Sequence, residues 1–162
     1  MRIAIHDYFM GITKQVAKRS TCLRRQVGAI IVNENNVILS TGYNGAPCKI
    51  EHCEVKGCIR DKKDIKSGTR QEICMAVHAE QNAIIHAAKH GTSINGSTMY
   101  VSTFPCIICS KMIINAGIKT IFYDHDYSET AGYRLLVDAG IIVKKYSLTR
   151  TMNCSTKIIK EY

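Results

Sequence analysis

Three metal-binding donors and one carboxylate stand out for what their spacing can do. His78 and Glu80 lie two residues apart in AVHAEQNAIIHAAKH, and Cys106 and Cys109 lie three apart in FPCIIC. Residues i and i+2 of a helix diverge, so His78 and Glu80 are poorly placed to pair with each other and instead address a third object from two sides. The i, i+3 cysteines bring both sulfurs to one side of a helix start, where the helix N-terminus favours the thiolate that binds metal. His78, Cys106 and Cys109 can therefore converge on one zinc and leave a fourth tetrahedral position open to water, which marks a catalytic site. Such a water ionises far more readily than bulk water. Glu80 is then placed to take its proton and deliver it to a leaving group.

Each piece alone has an ordinary explanation. A single histidine in a helix is usually a surface or core residue, and a CxxC between strand and helix also fits a thioredoxin-like redox pair. The redox reading leaves His78 and Glu80 without work. H-x-E opening one helix and P-C-x-x-C opening the next, with a strand between, is far more specific and is the pattern of zinc-dependent nucleobase deaminases.

The elements that must hold these residues can be read from periodicity. Ile5, Tyr8, Phe9, Ile12 and Val16, three and four apart, predict an amphipathic first helix over IHDYFMGITKQVAKRS. QVGAIIV and VILSTGYN, joined by NENN, predict a β-hairpin. From Gly45 to about Gly68 the pattern dissolves into Gly, Pro, Cys and charge, a segment long enough to be functional or held by something. Beyond it, the helix of residues 76–90, the strand TMYVSTF, the helix PCIICSKMIINAG, the strand IKTIFYD, the helix SETAGYRLLVDAG and the strand IIVKKYSL alternate. A hairpin followed by this alternation predicts a mixed sheet of about five strands with helices on both faces. The chemistry is expected at the carboxyl ends of the parallel strands. The stretch 151–162 reads as a C-terminal tail, either a short helix or a segment used in assembly.

The chain has 162 residues, 46% of them hydrophobic, which fits one domain with a real core. No apolar run approaches the roughly 20 residues that span a bilayer, and the N-terminus lacks signal-peptide character, so a cytoplasmic protein without a membrane is expected. Eight cysteines in that compartment read as thiols or metal ligands rather than disulfides. The net charge of +9 suits a phosphate-bearing partner, but the basic residues are dispersed and equally fit a solvated surface.

His78-Ala79-Glu80 with Pro105, Cys106 and Cys109, together with TGYNGAP (Thr41 to Pro47) and HAEQNAI, resemble the deoxycytidylate (dCMP) deaminases of the cytidine deaminase superfamily over most of the chain. That resemblance implies an α/β, three-layer α/β/α cytidine-deaminase-like fold with a mixed five-stranded sheet, and a catalytic domain over 1–150 with a Cys-rich insertion at about 45–75. It implies hydrolysis of dCMP to dUMP and ammonia, feeding thymidylate synthesis. Zinc would be held by His78, Cys106 and Cys109, with Glu80 carrying the proton from water to N3 and then to the amine. Asn44, Ala79 and Pro105 become substrate-binding candidates, and Gly42, Tyr43 and Gly45 candidates for a regulator. The regulators implied are dCTP as activator and dTTP as inhibitor, with Mg²⁺ accompanying the triphosphate, in a homo-oligomer that is usually a hexamer. A histidine ligand argues against the free-nucleoside cytidine deaminases, which use cysteine there. tRNA adenosine deaminases share H-A-E and P-C-x-x-C and remain the competing enzyme.

CEVKGC and RQEICMAVHAE further resemble the dCMP deaminase branch that carries a second, structural zinc, here assigned to Cys22, Cys53, Cys58 and Cys74. A fully ligated metal would fix a loop that cannot hold itself by apolar burial. Cys48 and His52 are rivals for a place in that set, and spacing does not decide. A rival from another class joins Cys53 and Cys58 to Cys106 and Cys109 in one zinc ribbon, a non-catalytic nucleic-acid-binding module, which leaves Glu80 idle. Lys89 and the tyrosines Tyr123 and Tyr127 are weaker candidates for nucleotide contact.

Overall fold

The computed structural model describes residues 2–127 and 131–147. Helix α1 (Ile5–Ala17) buries Phe9, Thr13 and Ala17, four apart, with Met10 beside them. This stripe is rotated from the expected one, and Ile5 and Tyr8 are exposed. The small faces of Thr13 and Ala17 explain the rotation. They let α1 press on β1 at Gly28, where an added Cβ would lie 2.4 Å from the Thr13 carbonyl oxygen and 2.5 Å from the Ala17 nitrogen.

Strands β1 (Gly28–Val32) and β2 (Ile38–Tyr43) pair antiparallel. Their connection is shaped by Asn33, whose Oδ1 accepts from the Asn35 and Val37 amides, and by Asn36 at φ 62°. The segment after β2 is not wholly irregular. It contains α2 (Cys53–Lys56), α3 (Ile59–Lys62) and a 3₁₀ turn at Gln71–Ile73. Helix α4 (Ala79–Lys89), strand β3 (Thr98–Thr103), helix α5 (Ile107–Asn115), strand β4 (Thr120–His125), helix α6 (Ala131–Asp138) and strand β5 (Ile142–Lys145) follow. The C-terminal tail over 151–162, with Cys154, lies outside the described residues.

The sheet runs β2-β1-β3-β4-β5, as the alternation predicts. β1 is antiparallel to both neighbours, while β3, β4 and β5 are parallel. Because side chains alternate across a strand, Ile30, Val32, Tyr100 and Phe122 meet α1 through Phe9 and Met10 on one face. Ala29, Ile31, Met99, Val101 and Ile121 meet Ala79, Ala83, Ile113 and Leu136 of α4, α5 and α6 on the other. Each large aliphatic side chain buried here contributes about 1.5–3 kcal/mol. The packing fixes the starts of α4 and α5 against the sheet.

Candidate active site

Helix α4 begins later than its sequence suggests. Gly45 and Val77 form an isolated bridge, the Gly45 amide donating to the Val77 carbonyl at 3.2 Å and the Val77 amide to the Gly45 carbonyl at 2.9 Å. The bridge holds the entering chain extended, so residues 76–78 are not helical. His78 becomes the N-cap at φ −72°, ψ 158°. Its amide donates to Gln81 Oε1 at 2.8 Å, which satisfies the donor and fixes the entry into the helix. His78 thus stands outside the helix and Glu80 inside the first turn, a better explanation of their divergence than two positions on one helix.

The second half of the site repeats the device. Pro105 is fully buried, Cys106 is the N-cap of α5 at φ −70°, ψ 168°, and Cys109 lies in the first turn. His78 Nδ1 lies 3.5 Å from Cys106 Sγ and 3.4 Å from Cys109 Sγ. Two ligands of a tetrahedral zinc, at the usual Zn–S and Zn–N lengths, are about 3.5 Å apart. The donor set therefore fits zinc in both chemistry and spacing. Among the described residues it is the one group of three such donors within 4.8 Å of one another.

The charges agree with this use. Hydrogen bonds from the Cys109 thiol and from His78 hold the Cys106 thiol well below the usual thiol range. The thiolate in turn keeps His78 protonated more readily than a free imidazole, and it pushes the buried Cys109 thiol up. A divalent cation is what lets both sulfurs ionise together. Glu80 is 4% exposed, and burial raises its carboxyl above the ordinary range, with the Cys106 charge adding to the effect and His78 opposing it. Its carboxyl interacts with the Cys109 thiol, which puts it beside the donor set.

These residues sit in one cleft, with a cavity of about 110 Å³. Ala79, Asn44, Thr103, Phe104 and Tyr127 also line it. Asn44 is clamped to backbone, Oδ1 accepting from Val27 at 2.7 Å and Nδ2 donating to the Arg25 carbonyl at 2.9 Å. Gly42, Tyr43 and Gly45 have backbone tasks that sequence reading did not foresee. Gly42 admits α4, the Tyr43 carbonyl accepts from Asn82 Nδ2 at 2.7 Å, and Gly45 makes the bridge to Val77.

Cys22, Cys53, Cys58 and Cys74 line the same cleft, without any three of them reaching the mutual spacing of the first donor set. Burial raises the Cys53 thiol, and Cys58, Cys22 and Cys74 raise it further. Of their rivals, Cys48 is exposed and His52 Nδ1 lies 3.0 Å from Thr21 Oγ1. The sequence reading missed Arg24 and Arg60, both in the cleft wall. No motif marks them; in sequence they are two charges among many.

The cytidine and deoxycytidylate deaminase zinc-binding region matches residues 3–125. The deoxycytidylate deaminase of Saccharomyces cerevisiae is 36% identical over 92% of this chain, which spans 47% of that protein's length. The human deoxycytidylate deaminase is 39% identical over 86% of this chain and 78% of its own. The crystal structure of dCMP deaminase from the cyanophage S-TIM5 in complex with dCMP and dUMP superposes with a TM-score of 0.75 at 34% identity, over 90% of this chain and 99% of that one. A matching zinc-binding region, the same sheet and helices, and a His-Cys-Cys triangle beside a buried glutamate leave one conclusion: this chain belongs to the cytidine and deoxycytidylate deaminase family.

Proposed function

We propose that this chain hydrolyses dCMP to dUMP and ammonia, with residues 1–150 acting as one catalytic domain. The observation that carries the reading is Glu80, a buried carboxylate set against the donors His78, Cys106 and Cys109 in one cleft. The cyanophage relative solved with dCMP and dUMP supports the choice of substrate.

Zinc bound by His78, Cys106 and Cys109 would supply Lewis acidity and make water a nucleophile near neutral pH. Glu80 accepts the proton of the attacking water, hands it to N3 of the cytosine, and takes the second proton to the departing amine. Its carboxyl, raised by burial towards neutral pH, suits both halves of that cycle, because such a group both takes up and gives back a proton more readily than an ordinary carboxylate. Ala79 and Pro105 border the base with backbone, and Asn44 borders the sugar. The atoms balance: water adds at C4, the C4–N bond breaks, and ammonia leaves.

Further parts of the reading rest on the family resemblance. Cys22, Cys53, Cys58 and Cys74 hold a second zinc, supported by their places around one cleft and their influence on the Cys53 thiol. Gly42, Tyr43 and Gly45 belong to a site for dCTP or dTTP with Mg²⁺, within a hexamer in the cytoplasm. Among the described residues no helix is long and apolar enough to cross a membrane. No specific observation favours tRNA editing or a zinc-stabilised nucleic-acid module.

Ammonia release from zinc-loaded protein, offered dCMP, deoxycytidine or an adenosine-bearing tRNA anticodon stem-loop, tests the reading. Turnover is expected with dCMP. Turnover of the stem-loop alone, or of nothing, rejects it.

A further inference from the structure

His86 and His90 stand one turn apart at the carboxyl end of α4, both exposed and outside the donor set of the cleft. The turn between them is α-helical, since the His90 amide donates to the His86 carbonyl oxygen at 3.1 Å. Side chains at i and i+4 lie one above the other on a helix face, so the two rings share a side. Lys89 is also exposed, and its long stem keeps the ammonium in water.

His86 is held in one tautomer. Its Nδ1 lies 2.8 Å from the Thr41 carbonyl oxygen on β2, the edge strand of the sheet. A carbonyl only accepts, so Nδ1 carries the proton, and Nε2 of the neutral ring keeps its lone pair. Metal-binding histidines use this arrangement: one ring nitrogen donates to a carbonyl and fixes the ring, and the other ligates.

Strapping α4 to β2 accounts for the His86 Nδ1 bond alone. The two elements are already joined by the close approach at Gly42 and by the bond from Asn82 to the Tyr43 carbonyl. A second imidazole one turn on, beside an oriented Nε2, is left without a purpose by that explanation. A cation would give it one, and the carboxyl end of a helix favours positive charge. His86 lies eight residues beyond His78, about 12 Å along the helix, so the pair cannot share an ion with the cleft.

We propose that His86 and His90 form a further metal site, a two-imidazole chelate for an exchangeable divalent transition ion such as Ni²⁺, Cu²⁺ or Zn²⁺, with water in the remaining positions. Imidazole nitrogen suits each of these ions. Two ligands hold an ion loosely, so dialysis removes it, unlike an ion held by three or four donors. The bound ion ties together the last turn of α4, the end remote from Glu80, and the site is independent of the deaminase reading.

Calorimetric titration of dialysed, zinc-loaded protein with Ni²⁺ reads the site, with zinc content measured alongside so that only nickel bound in addition to zinc is scored. Wild type is expected to bind Ni²⁺, and His90→Ala to weaken that binding about 100-fold, because the second bond to a held ion forms at a high effective concentration. His90→Ala leaves the Thr41 bond in place, which guards the fold. His86→Gln is expected to show a similar loss, and the double variant much less than the two losses combined, since either change already breaks the chelate. Adding Ala88→His to His90→Ala restores the number of histidines but sets the rings on diverging sides, and is expected not to restore binding. Wild type that takes up no Ni²⁺, unchanged affinity in His90→Ala, losses that simply add, or recovery with Ala88→His each overturns the proposal.

Discussion

Gly42 on β2 faces Ala83 on α4 so closely that a Cβ on the glycine would lie 2.4 Å from the Ala83 nitrogen, and 2.2 Å from the Ala79 carbonyl oxygen. The contact seats the first turn of α4 on the sheet, and with it Glu80. Gly42→Ala is expected to cost about 1–3 kcal/mol, as overpacking of a dense contact does, and to lower kcat because α4, whose start carries His78 and Glu80, must shift relative to Cys106 and Cys109 on α5. Urea unfolding midpoints and turnover check this. An unchanged midpoint would show that the two elements are less tightly packed than described.

Glu80 has the opposite relation to stability. Its carboxyl is buried and costly to ionise in zinc-free protein, so Glu80→Gln, close in shape and uncharged, is expected to raise the melting temperature of the zinc-free chain. The same change should lower kcat by about 10²–10⁴-fold, the range for loss of a general acid-base group, with zinc content unchanged. Retained activity would remove Glu80 from the reaction. A fall in zinc content would make it a contributor to metal binding instead.

How much of this was legible in the sequence depended on whether a pattern is local. The sheet was legible because β1 is a continuous apolar run and the later strands alternate with helices closed by glycines such as Gly117, which adopts φ 74°. The metal donors were legible because each pair is close in sequence and opens a helix. The start of α4 was not, because the bridge to Gly45 that keeps Val77 extended comes from more than 30 residues upstream. The buried stripe of α1 was misread for a related reason: Thr13 and Ala17 are buried by the glycine opposite them rather than by their own hydrophobicity. Arg24 and Arg60 were not legible either, because their place at the cleft rests on contacts with the Ile65 and Lys66 carbonyls that no motif marks.

The metal readings separate by stoichiometry. Wild-type protein is expected to hold two zinc ions per chain, His78→Ala one, and Cys53→Ser one. The two losses should have different consequences. His78→Ala abolishes turnover while leaving the insertion ordered, whereas Cys53→Ser lowers stability, since metal-binding energy in a closed site is folding energy. Metal analysis with thermal unfolding distinguishes them. A single zinc in wild type, lost in His78→Ala and kept in Cys53→Ser, would confine metal to the His-Cys-Cys triangle.

Tyr100 predicts how the fold fails in alkali. Its hydroxyl is 2.8 Å from His6 Nδ1, its ring stacks on Phe122 with centroids 5.0 Å apart, and burial pushes its phenol from the ordinary 10.0 up to about 12. Above pH 10 the unfolded chain gives up this proton while the folded chain keeps it, so the folded state binds more protons and stability falls as pH rises. The contribution is complete below pH 10 and is lost as the pH rises towards about 12. Tyr146, raised to about 12 by burial and by its hydrogen bond to Asp7, adds to the same slope. Tyr100→Phe should start less stable by about 1 kcal/mol for the lost hydrogen bond and decline less steeply. Urea midpoints measured from pH 9 to pH 11.5 carry the test; equal slopes in wild type and Tyr100→Phe would mean that the phenol ionises freely and that α1 does not seal this face of the sheet.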